Sequence, residues 1–158
     1  MEPVKEVVIE KVYDVSPEIV WQAWTEPDKV KQWWGPKNVT IPECEIDLRV
    51  GGKIYIVMEA GEEMGDHKGI KWPMLGKFTV VEENSKLFYD AEAWTEGAKD
   101  ESTINQTTEM TLIKEGEKTK VKIKAVVHKT GPAAKMAVEG MQYGFTQQLD
   151  KLADFVVK

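Results

Sequence analysis

Four of the chain's six tryptophans fall in one short stretch, WQAWTEPDKVKQWWGP, that begins at Trp21. Tryptophan carries the largest apolar surface of any side chain, so four together must cap a core or wall a cavity. The residues between them are specific. Ser16-Pro17 reads as an N-cap followed by proline at the first helical position, and Glu26-Pro27 repeats that start signal. Two short helices in tandem are predicted. Ile19, Val20, Ala23 and Trp24 share a face of the first, and Val30, Trp33 and Trp34 a face of the second. Gly35-Pro36 ends the pair.

Beyond this stretch the pattern changes to alternation, punctuated at Gly51-Gly52, Gly61, Gly69, Asn84-Ser85 and Gly116. Strands are predicted over 4–13, 39–48, 53–60, 75–82, 87–94, 104–113 and 119–127, with loops at 62–68 and 97–102. The last strand is the clearest, since Val121, Ile123, Ala125 and Val127 alternate with Lys120, Lys122 and Lys124. That is the half-buried face of an antiparallel sheet, with Glu109 and Glu115 placed to pair with the lysines. One-faced strands also place Ile54, Ile56 and Met58 together, then Phe78 with Val80, then Tyr89, Ala91 and Ala93, then Thr108, Met110 and Leu112.

A final helix over 132–157 follows the turn Thr130-Gly131-Pro132, with a stripe through Met136, Met141, Phe145, Leu149, Leu152 and Val156. Gly140 and Gly144 lie one turn apart on or beside that stripe. Each costs a helix roughly 1 kcal/mol relative to alanine, so either the backbone touches the sheet there or space is left. The order of elements is α+β. A curved antiparallel sheet of about six or seven strands must wrap around the long C-terminal helix to bury both apolar faces, with two short helices after the first strand. This is a helix-grip fold.

A chain of 158 residues is the size of one domain and buries roughly 70% of its unfolded surface, so a single domain over 1–158 is expected. The lone Cys44 excludes an internal disulfide, and the start MEPVKE has charges where a signal peptide needs an apolar run. A cytoplasmic location is expected. The formal charge of −6 opposes attraction to nucleic acid or anionic lipid, and no segment is long and apolar enough to span a membrane.

The motifs AWTEPDKVKQWWGP (23–36), VGGKI (50–54), GKFTVV (76–81) before KLFY (86–89), and EGMQYGFTQQLDKL (139–152) resemble the START-like or Bet v 1-like superfamily, SRPBCC. Within it they are most similar to homologues of the C-terminal domain of the heat-shock protein 90 ATPase activator. The resemblance implies an apolar cavity between sheet and C-terminal helix, which relatives use for lipids, sterols, polyketides or hormones. It leaves function open, because the fold hosts binders, cyclases and chaperone regulators. Met141 stands where a tryptophan is frequent, and methionine suits variable ligands.

The expected ligand-binding residues are Trp33, Trp34, Met58, Trp72, Met74, Trp94, Met110, Met136, Met141 and Phe145, with Tyr89 and Gln142 as polar groups that orient a ligand. No catalytic residue, metal site or cofactor is assigned. His67 sits in a charged loop without a second histidine, and His128 ends a strand where it could act as a pocket-mouth acid or base. Cys44 lies between Glu43 and Glu45, whose charges should raise its thiol pKa. Three functions stay open: a non-catalytic binder of a small apolar or aromatic molecule, favoured over an enzyme; a cyclase- or hydrolase-like enzyme; and a chaperone-interacting module.

Overall fold

The computed structural model describes residues 4–35 and 38–156, with His67 and Met136 described in backbone only. Proline sets the start of both tandem helices, α1 (Pro17–Thr25) and α2 (Pro27–Trp33). Ser16 and Glu26 occupy the N-cap positions with extended backbone, but neither side chain caps the helix. The Ser16 carbonyl instead accepts from the Ile19 and Val20 N–H groups. Gly35, at φ +82°, turns the chain out of α2. Pro36, the other half of the expected stop, lies outside the described residues.

Seven strands form one antiparallel sheet: β1 (Lys5–Tyr13), β2 (Val39–Ile46), β3 (Lys53–Ala60), β4 (Lys71–Glu82), β5 (Lys86–Ala93), β6 (Ile104–Glu115) and β7 (Lys118–Thr130). Their order is β1-β7-β6-β5-β4-β3-β2, a meander from β2 to β7 with β1 laid against the last strand. β4 starts before the expected residue 75 because pairing runs through Pro73. Proline lacks a donor, but its carbonyl still accepts from Trp94 N–H at 3.1 Å. A bulge between Phe78 and Val80 also shifts one face, so Val81 rather than Val80 packs against the core beside Phe78. The two expected loops each contain a short helical piece, a 3-10 segment Glu62–His67 and α3 (Lys99–Ser102).

The expected single C-terminal helix is interrupted. A 3-10 turn Pro132–Ala134 leads into α4 (Lys135–Glu139), the chain breaks at Gly140, and α5 (Met141–Val156) completes the element. Glycine is the weakest helix former after proline, and two within one turn leave the helix easiest to break there. Val157 lies outside the described residues. Leu149 and Leu152 of α5 are buried, and the Tyr13 hydroxyl donates to the Leu149 carbonyl at 2.9 Å. Lys11 and Asp150 pair across the same contact. The sheet thus grips α5, and α1 and α2 close one end of the grip. There Trp24, Trp33 and Trp34 meet in a three-ring cluster with centroids 4.8 to 5.6 Å apart, the tilted and edge-on geometry that aromatic quadrupoles favour.

On the outer face, Lys120 reaches Glu115 of β6, as expected, and Glu10 of β1. Lys124 reaches Glu6. Glu109 stands opposite Lys124 in the β6–β7 register, as expected, while β1 adds Glu6 and Glu10 to the carboxylates that meet the lysine row.

A candidate cavity between the sheet and the C-terminal helix

On α5 the residues Met141, Gly144, Phe145 and Gln148 recur at three- and four-residue spacing, so they share one side of the helix. That side faces a cavity of about 190 Å³. The sheet supplies Ile56 and Met58 from β3, Trp72 and Met74 from β4, and Tyr89 and Ala93 from β5. Ile104 and Gln106 come from β6, and Trp34 closes the end below α2. A methyl built on Gly144 meets nothing within 4 Å. The glycine therefore leaves space here and is not a point of backbone contact.

Of the residues expected to bind a ligand, Trp34, Met58, Trp72, Met74, Tyr89, Met141 and Phe145 come together on this wall. Four others stand elsewhere. Trp33 is fully buried behind Trp34, with its Nε1–H donated to the Ala23 carbonyl at 2.9 Å. Met110 is deep core, Gln142 is exposed, and Trp94 lies under the Lys99 ammonium at 4.4 Å from the ring centre. The Met136 side chain lies outside the described residues.

Gln148 was not foreseen, although it follows Gly144 by four residues. It is 6% exposed. Gly35 N–H donates to its Oε1 at 3.0 Å, which fixes the amide's orientation. Its Nε2 finds no acceptor among the described residues. On the opposite wall Gln106 Nε2 donates to Thr108 Oγ1 at 3.3 Å, and Thr108 also interacts with the Tyr89 hydroxyl. Burial pushes the Tyr89 phenol well above its usual pKa, so it stays neutral. Just outside, Lys151 donates to the Trp34 and Gly35 carbonyls at 3.2 and 3.3 Å, and desolvation lowers its pKa. The described wall residues carry no charge, thiol, imidazole or aliphatic hydroxyl. Such a wall can hold and orient a molecule by shape and by neutral donors such as the Gln148 amide.

The other candidates lie apart. His128 points to the outer sheet face, where its Nε2 lies 2.8 Å from Thr107 Oγ1, which donates to Asp90 at 2.7 Å. It is not at the mouth of the inner cavity. This Asp–Thr–His row lies in an open groove of about 1050 Å³ that water already solvates. Burial pushes the Cys44 thiol up to about 11, with Lys31 opposing and Asp28 and Glu45 adding to the rise. The main cause is thus desolvation, not the neighbouring glutamates. The side chain of His67 lies outside the described residues, and no metal-binding group of His, Cys, Asp and Glu occurs among the rest. Among the described residues no helix is long and apolar enough to cross a membrane.

The family model described as "Activator of Hsp90 ATPase homolog 1-like protein" matches residues 14–156. Solved structures share the fold. A crystal structure from Chromobacterium violaceum is 21% identical with a TM-score of 0.78, covering 98% of this chain and 99% of that one. One from Nitrosomonas europaea is 24% identical with a TM-score of 0.74 and coverage of 95% and 92%. A solution structure from Arthrobacter aurescens is 21% identical with a TM-score of 0.77 and coverage of 96% and 85%. A comparison with curated proteins finds no match.

Proposed function

The chain belongs to the family of Activator of Hsp90 ATPase homolog 1-like proteins, and from that premise we propose that it binds a small apolar or aromatic molecule in the cavity between sheet and C-terminal helix. The observation that carries this reading is the open space in front of Gly144, on a half-buried helix face turned to the sheet, which close packing would otherwise fill. Size narrows the ligand. At about 190 Å³ the cavity is larger than the roughly 150 Å³ that holds benzene and smaller than the ~300 Å³ at which drug-sized pockets begin. One or two rings fit that range.

Tryptophan emission tests the reading, because Trp34 lines the cavity and Trp33 stands behind it. Titration with toluene should shift the emission saturably. Trp34→Phe should weaken binding by about two- to tenfold, the worth of an aromatic contact, and Trp33→Phe should leave the affinity nearly unchanged. A response without saturation, or equal effects of the two substitutions, refutes a ligand cavity.

A second reading, a chaperone-interacting module, is supported by the family's description and by the broad outer groove beside Lys53, Lys77 and His128. It requires that the purified chain change the ATPase rate of a heat-shock protein 90. An unchanged rate at saturating chain refutes it.

A further inference from the structure

We infer that the molecule held in this cavity is neutral and presents a carbonyl-type hydrogen-bond acceptor to Gln148 Nε2. The inference rests on the cavity reading above and adds the ligand's chemical class to it. Three observations support it. Gln148 is more than nine-tenths buried and lines the cavity. Its amide cannot turn over to hide the donor, because Gly35 N–H holds Oε1 at 3.0 Å. Its Nε2 has no acceptor among the described residues, and a buried donor left unpaired is costly enough that native proteins rarely keep one without a use.

The wall also excludes other ligand classes. None of its described residues is charged, so a carboxylate or ammonium entering it loses hydration without gaining a counter-charge. A purely apolar ligand leaves the Gln148 donor dry and unpaired. A carbonyl oxygen on an otherwise apolar frame meets both conditions, since it pairs one donor and carries no charge. Aromatic or alicyclic ketones, enones and related neutral carbonyl compounds form the matching class. Thr108 engages Tyr89 and Gln106 on the opposite wall, and Gln148 Nε2 is the wall donor that is both buried and without an acceptor among the described residues.

The test compares two probes of nearly equal shape, acetophenone and α-methylstyrene, which differ in a carbonyl oxygen against a methylene, with benzoate as a charged third. Each is titrated into the full chain and followed by NMR. Acetophenone should bind about tenfold more tightly than α-methylstyrene, the factor that one net hydrogen bond supplies, and benzoate more weakly than acetophenone. The Gln148 side-chain amide resonance should move with acetophenone only. Gln148→Met keeps the length of the side chain but removes the donor, so it should abolish the preference. If that variant does not fold, the amide resonance of the unaltered chain decides. Equal binding of acetophenone and α-methylstyrene, an unmoved amide, or benzoate binding as tightly as the ketone overturns the inference and leaves the cavity reading standing. Failure of both neutral probes to saturate resonances of the wall overturns both.

Discussion

Gly144 separates a cavity from close packing by the sign of one substitution. Because a Cβ there meets nothing within 4 Å, Gly144→Ala should recover helix propensity and leave stability unchanged or raise it by up to about 1 kcal/mol. Affinity for toluene should fall, since the methyl enters the ligand's space. Urea unfolding and a binding titration check the two halves, and a marked loss of stability would show that the backbone touches the sheet after all. The glycine itself was legible in the sequence as a helix residue needing a reason. Its polar neighbour was not, because Gln142 and Gln148 are equally glutamine and only helical phase distinguishes them. Counted from Gly144, four residues lead to Gln148 and two lead back to the solvent-facing Gln142. Trp33 and Trp34 pose the same problem. Both are apolar enough for either role, and only the turn at the end of α2 decides which ring faces the cavity.

Elements were legible where proline, glycine and alternation act locally, and less so where tertiary pairing overrides them. β3 matches its expected span, 53–60, because glycines bound it on both sides, whereas β4 runs through Pro73 on the strength of its neighbours. The bulge at Phe78/Val80 is a pairing irregularity that alternation alone does not show, and it moves Val81 inward. The break at Gly140 has the converse cause, a local weakness that the apolar stripe of 132–157 concealed. Gly76 shows how closely β4 and β5 approach. A methyl built there runs into the Asp90 carbonyl and the Ala91 side chain, so Gly76→Ala should destabilise by about 1 to 3 kcal/mol, as overpacking does. Urea midpoints measured beside those of Gly144→Ala should show the two glycines differing in sign. A Gly76→Ala variant as stable as the parent would mean that the strands can part without cost.

For the whole molecule, several groups make stability depend on alkaline pH. Burial raises the Cys44 thiol from 9.0 to about 11 and also raises the phenols of Tyr13 and Tyr89. In the folded chain each holds its proton longer than in the unfolded chain. The stability linked to Cys44 is therefore fully present below pH 9.0 and is lost as pH rises through about 11. Lys151, whose pKa burial lowers, acts in the opposite direction, because its desolvation penalty lifts as it loses its proton. Urea unfolding should show stability falling above pH 9, with a shallower fall in Cys44→Ala between 9 and 11. An identical slope in the variant would show that the thiol titrates freely. The sheet's one non-sequential neighbour, β1 on β7, bears on how the chain is made. Lys5 pairs with Val127 and Tyr13 with Thr119, so the first strand leaves the ribosome well before its partner. At roughly 5–20 residues per second it waits on the order of ten seconds, with Val7 and Tyr13, both buried once folded, still exposed. Synthesis of the last strand is what seals the sheet, and the nascent chain is most vulnerable to aggregation until then.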